Sequence, residues 1–319
     1  MKGLAIGLLF TLALTAQQTS RSYSTYVPDL NGRMVAGPAW TETSGPGSYT
    51  RTLDRRSVNG DIVPRERIRQ QVVSETGSGK ISERVEQFYD ENGSPIPPRR
   101  VRIEERKNPD GTSTVTVTTS QQDINGHSQV VERVTSQIRA SGERRSESAI
   151  IERPGATGTL EVAEKRTAVD TKSGGTEREQ VTTYRKDING GFYEAARVVT
   201  DRSGDGAQRS ETVMAYEALN GGQLAPASRT VTRTKVLPDS SEVQESTVYR
   251  TWSATRIDSS SGMPVSEQIL VERKAASGGN LVETTSVRKP AADYPYTMGK
   301  YEKVGEVVCS GYCKPTSGK

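Results

Sequence analysis

Asp123-Ile124-Asn125-Gly126 recurs unchanged as Asp187-Ile188-Asn189-Gly190, 64 residues downstream. Asn-Gly is a strong short hairpin signal, because a type I′ turn needs positive φ at both central residues. The dipeptide also stands at 31–32, 59–60, 92–93 and 220–221. Neighbouring members lie about 32 residues apart. The one double interval is filled near its middle by Pro154-Gly155-Ala156-Thr157-Gly158. A second series of turn residues falls between these: Gly45-Pro46-Gly47, Gly77-Ser78-Gly79, Asp110-Gly111, Ser141-Gly142, Ser173-Gly174-Gly175, Ser203-Gly204-Asp205-Gly206, Pro238-Asp239 and Ser277-Gly278-Gly279. Two kinds of turn therefore alternate, one roughly every sixteen residues. The repeat carries more than turns. Arg67, Arg100, Arg133 and Arg197 each stand eight positions after the Asn of an Asn-Gly pair, and Arg229 stands nine after Asn220. A repeat of this kind decides the architecture before local detail does.

The stretches between turns are rich in Thr, Val, Glu and Arg, as in Thr114–Thr119, Arg229–Thr234 and Leu281–Thr285. β-Branched residues bounded by Gly, Asn, Asp and Ser read as strands. Connections this short make neighbouring strands antiparallel. The expectation is an all-β protein: a repetitive up-and-down meander of about 14–16 long strands, built from hairpins of ~32 residues. Strands alternate a weakly apolar face with a charged one, as in a sheet wetted on one side. An elongated open or rolled sheet of fifteen such strands would extend roughly 70 Å. A sixteen-stranded membrane barrel has a comparable length, but would need an apolar outer band and aromatic girdles. Phe numbers only 3 here, and Arg and Glu occur on both strand faces. A four-bladed propeller would explain the 64-residue offset, but uses shorter strands around a packed core.

Composition agrees with a thin sheet. Of 319 residues, 32% are hydrophobic and 5% aromatic, which is too little for a thick two-layer core. Lys and Arg (43) nearly balance Asp and Glu (39), so no strong draw toward nucleic acid follows, and none is expected as a partner.

The chain opens Met1-Lys2-Gly3 and runs apolar from Leu4 to Ala16. One basic residue ahead of a short apolar core has the form of a secretory signal, with cleavage after Ala16. The expected organisation is a signal peptide at 1–16, a capping segment with a first irregular hairpin at 17–50, the hairpin repeats at 51–289, and a Tyr-rich tail with the Cys pair at 290–319. The mature protein is expected in the periplasm or outside the cell, with no membrane span after cleavage.

Tyr89-Asp90-Glu91-Asn92-Gly93, with Asp110-Gly111 downstream, resembles the tyrosine–aspartate hairpin repeats of bacterial cell-surface shell proteins. The resemblance covers one or two hairpins and carries no site.

Catalytic constellations are missing. His127 is the only histidine, which excludes a multi-histidine metal site and a histidine triad. No cofactor is expected, and the chain is read as non-enzymatic. Cys309 and Cys313 are the only cysteines, and in an exported protein an even pair reads as a disulfide. Asp201, Ser203 and Asp205, followed by Gly206, match the first half of a calcium loop, but the twelfth position is Thr212. Trp40, Trp252, Tyr294 and Tyr296 are candidate ligand platforms. The expected function is that of a structural or interaction protein of the cell envelope or exterior. Its partners would be a protein, a cell-surface polymer, or further copies joined through sheet edges. The alternative is an adhesin-like module binding glycan or cell-wall polymer through exposed aromatics.

Overall fold

The computed structural model describes residues 19–29, 31–56, 61–123, 125–219, 222–250, 263–276, 280–290 and 298–311. Eighteen strands are present among them. The first nine are β1 (Thr19–Pro28), β2 (Met34–Gly45), β3 (Ser48–Arg56), β4 (Ile62–Thr76), β5 (Gly79–Phe88), β6 (Arg99–Lys107), β7 (Ser113–Gln122), β8 (Ser128–Ser141) and β9 (Arg144–Pro154). The second nine are β10 (Leu160–Ser173), β11 (Thr176–Lys186), β12 (Phe192–Gly204), β13 (Gln208–Ala218), β14 (Leu224–Val236), β15 (Glu242–Arg250), β16 (Val265–Ala275), β17 (Leu281–Arg288) and β18 (Glu302–Gly311). Each pairs antiparallel with its neighbour in sequence, as the hairpin reading expects.

The sheet is not open. β1 pairs with β2 on one side and with β18 on the other, from Arg21↔Gly311 to Tyr26↔Glu306. The meander thus closes into a barrel of 18 strands, which corrects both the open or rolled sheet and the count of 14–16. The segments read as lying outside the repeat, 17–50 and 290–319, hold β1, β2 and β18, the strands through which the meander closes. Closure also removes the sheet edges among the described strands, and with them the site for self-association by edge pairing. Eighteen strands about 4.8 Å apart and tilted about 40° enclose a barrel roughly 35 Å across, backbone to backbone. Substantial contacts run only between neighbouring strands, as expected of a hollow wall.

The two alternating turn series mark the two ends. At one end the connections are tight, as at Pro46-Gly47, Ser78 and Gly174-Gly175. At the other stand the Asn-Gly loops. Those at 31–32, 92–93, 125–126 and 189–190 are not the two-residue type I′ turns that the dipeptide suggests. In the loop 29–33, Asp29 N–H donates to the Arg33 carbonyl (2.8 Å) and Gly32 N–H to the Asp29 carbonyl (2.9 Å). The Asp29 carboxylate accepts from Asn31 N–H and Arg33 N–H at 2.8 and 2.9 Å. Asp90, Asp123 and Asp187 repeat this arrangement. An Asp two residues before the Asn holds the loop through its side chain, so positive φ is needed at Gly alone, +83° at Gly190.

Candidate functional site

Direct cross-strand partners share a face, so the registers sort every strand residue to one side of the wall. Seen from outside, barrel strands tilt with a right-handed twist, and the drift of register along the chain then fixes which side is concave. Burial agrees. Ser82, Val101, Ile103, Ser136, Ala149, Ile151, Glu164 and Glu242 belong to the inward side and are buried. Their chain neighbours Arg100, Arg102 and Lys165 point outward and are exposed. Side chains converge on the concave side of a curved wall and splay on the convex side.

The inward side has an apolar middle. Ile103, Val117, Val134 and Ile151 form one lateral row across β6–β9. Ala168, Val181, Val198 and Ala215 form another across β10–β13. Trp40 lies in this zone, stacked on Tyr23 with ring centroids 4.7 Å apart. Glu–Arg pairs flank the rows. Toward the tight-turn end, Arg202 reaches Glu211 at 2.7 Å and Glu177 and Glu179 at 3.5 Å. Glu242 joins Arg209 (2.7 Å) and Arg273, and Arg273 also holds Glu283 at 2.6 Å. Toward the other end, Glu164 takes Arg166 (2.7 Å) and Arg185 (3.6 Å). These carboxylates are satisfied strand to strand and do not converge on one point.

The outward side is largely polar but not wholly so: Val199, buried beside Met214, lies there with Val231 and Leu270. Thr41, Thr52, Thr118, Thr135 and Thr167 share it with Arg69, Arg102, Arg233 and Glu245. Basic residues outnumber acidic ones there, while carboxylates gather on the inward side and in the turns. Toward the Asn-Gly end, outward cations meet aromatic rings: Arg67 over Tyr89 (5.7 Å), Lys165 over Phe192 (4.3 Å), Arg229 over Tyr249 (5.7 Å) and Arg288 over Tyr301 (4.4 Å). The series Arg67, Arg100, Arg133, Arg197 and Arg229, a register marker in the sequence, lies on this outward side in one tier, and Lys165 fills the interrupted place. Residue spacing gave the signal for this tier, but the sequence does not say which way the series faces.

The singled-out residues fall in separate places. Asp201 points outward beside Arg178 (3.7 Å), and Ser203 lies on the same side. Asp205 sits in the following turn, accepting from Ala207 and Gln208 N–H at 3.0 and 3.1 Å. Among the described residues no group of three His, Cys, Asp or Glu could hold a metal ion. Cys309 is a buried, inward residue of β18 and is not a free thiol. Cys313, Trp252, Tyr294 and Tyr296 lie outside the described residues. His127 is exposed in its turn, 3.5 Å from Asp123.

The turn carboxylates are the clearest electrostatic features. The N–H groups of His127 and Asn125 hold Asp123 below the usual carboxylate range. Thr112 does so for Asp110, Gln208 and Ala207 for Asp205, and Ser241 for Asp239.

No protein-family model and no curated protein matches this chain. Solved structures similar to it include the outer membrane protein opdK from Pseudomonas aeruginosa, with a TM-score of 0.49 and 10% identity over 92% of this chain and 98% of that one. A bacterial polysaccharide outer membrane secretin follows at 0.36 and 9%, over 93% and 99% of the two chains. A porin-like protein from Bacteroides uniformis follows at 0.14 and 9%, over 77% and 95%. Among the described residues no helix is long and apolar enough to cross a membrane, which says nothing of strands.

Proposed function

We propose that the protein is a non-enzymatic cell-envelope component, a hollow barrel that works through the surfaces of its wall. The carrying observation is the distribution of ionisable groups. Among the described residues they pair from strand to strand around the ring, as at Arg202 and Glu242. The form of the N-terminal sixteen residues supports export. A polar outer wall of Thr and Arg suits contact with water and envelope polymers.

A second reading is a membrane-spanning channel. Closure by next-neighbour hairpins, short turns at one end and an aromatic tier near the other favour it. The outer wall opposes it, since Arg69 and Arg102 stand midway along β4 and β6. Each such cation costs about 2–4 kcal/mol at a bilayer midplane.

Carbonate extraction of envelopes from producing cells, with planar-bilayer recording of the purified protein, separates the two. The scaffold reading expects release by carbonate and no unitary conductance. Retention in the membrane together with stepwise conductance would overturn it.

A further inference from the structure

Three outward pairs repeat one design across β10–β15. Lys165 is the direct cross-strand partner of Tyr184, Arg197 of Tyr216, and Arg229 of Tyr249. Successive cations stand two strands apart, about 10 Å along the wall. Lys165 and Arg229 are exposed, and the three tyrosines are half-buried. Arg197 is ion-paired with the outward Glu194 through two bonds of 2.7 and 2.9 Å, and Lys165 lies 4.3 Å from the Phe192 ring centroid. Arg229 lies 5.7 Å from the Tyr249 ring centroid, so cation and ring belong to one surface. The row lies along an open convex wall, which suits an extended polymer better than a small molecule.

We propose that this row is a binding site for an acidic polysaccharide. Rings of tyrosine offer flat faces on which the apolar faces of sugar rings stack. The exposed Lys165 and Arg229 between them pair with uronic-acid carboxylates. Regular alternation matches a polymer that presents a ring and a charge in turn. The surrounding wall supports the charge complementarity, because outward Arg100, Arg133 and Arg233 leave it rich in cations. This inference rests on the scaffold reading above, in which the outer wall faces water.

The test is affinity electrophoresis of the purified protein in gels containing polygalacturonate, neutral dextran or single-stranded DNA. Retardation is expected in polygalacturonate and not in dextran. Tyr216→Ala with Tyr249→Ala should weaken binding about tenfold, and Arg229→Gln about threefold. Arg139→Gln, an exposed outward cation near the tight-turn end, should leave binding unchanged. Circular dichroism and melting confirm that each variant is folded.

Absence of retardation overturns the site. So does an equal loss from Arg139→Gln, which would show diffuse charge attraction. Unchanged binding in the double tyrosine variant would reduce the row to wall structure. Equal retardation by DNA through the same residues would overturn the polymer class. The carbonate test is independent of these outcomes. A carbonate-released protein that ignores polygalacturonate defeats this site alone, whereas retention in the membrane together with stepwise conductance defeats the scaffold reading.

Discussion

Ile150 and Ile151 are consecutive and identical in chemistry, yet Ile151 is 3% exposed and Ile150 is 41% exposed. Ile151 points inward, beside Val134. Ile150 points outward, between Thr135 and Lys165. The wall is one residue thick, so strand alternation puts the two on opposite sides, the concave one being the more crowded. This barrel gains its apolar contact on the concave side, where neighbours converge. Its outer side makes fewer such contacts, as at Val199 beside Met214, so one better-packed face lets a chain with 32% hydrophobic residues maintain an ordered sheet.

Truncating the two isoleucines breaks the comparison most directly. Ile151→Ala should cost about 3 kcal/mol in urea unfolding, and Ile150→Ala less than about 1. Equal losses would mean that the two sides have been assigned wrongly. Charge tests the same division. Glu242 is inward, its side chain 7% exposed, and it serves both Arg209 and Arg273. Glu242→Ala strands the partly buried Arg209 and leaves Arg273 with Glu283 alone, and should cost about 2 kcal/mol. Glu272 faces outward with Lys274 at 3.3 Å, and Glu272→Ala should cost no more than about 0.5 kcal/mol.

The ends can be compared in the same way. Gly190, at φ +83° in an Asn-Gly loop, has open space around it, so Gly190→Ala isolates backbone strain and should cost about 1 kcal/mol. Gly206, in the opposite tight-turn series, has equal space and no positive φ. Gly206→Ala should leave the unfolding midpoint unmoved.

Local features of this fold were legible because they are written locally. Asn125-Gly126, Gly174-Gly175 and the Thr-Val segments declare turns and strands within a few residues. Closure was not legible, because it depends on Tyr23 meeting Cys309 across nearly the whole chain, and no short-range pattern encodes that meeting. The turn type was missed for a chemical reason. Asp123 captures two backbone N–H groups and so replaces the type I′ geometry that Asn125-Gly126 suggests. Of the candidate platforms, Trp40 belongs to the inner side. The outward Lys165–Tyr184, Arg197–Tyr216 and Arg229–Tyr249 pairs join residues about 19 to 20 positions apart, which only the register brings together.

Acid response sharpens the contrast between wall and turns. Asp123 is held below its ordinary range chiefly by the His127 N–H, then by the Asn125 N–H. A carboxylate depressed in the folded state binds its proton more readily when unfolded. Its contribution is therefore fully present above the unfolded value, near about 3.9, and is lost as pH falls through the lower folded value. Asp110, Asp205 and Asp239 act in the same direction. The melting temperature should thus fall as pH drops below about 4. Asp123→Asn keeps an oxygen that accepts from both N–H groups but carries no titrating proton. That variant should match the parent at neutral pH and lose less on acidification. Melting curves at stepped pH decide it. Identical slopes would show that the Asp123 turn takes no part in the acid response, and would return that response to the Glu–Arg pairs of the wall.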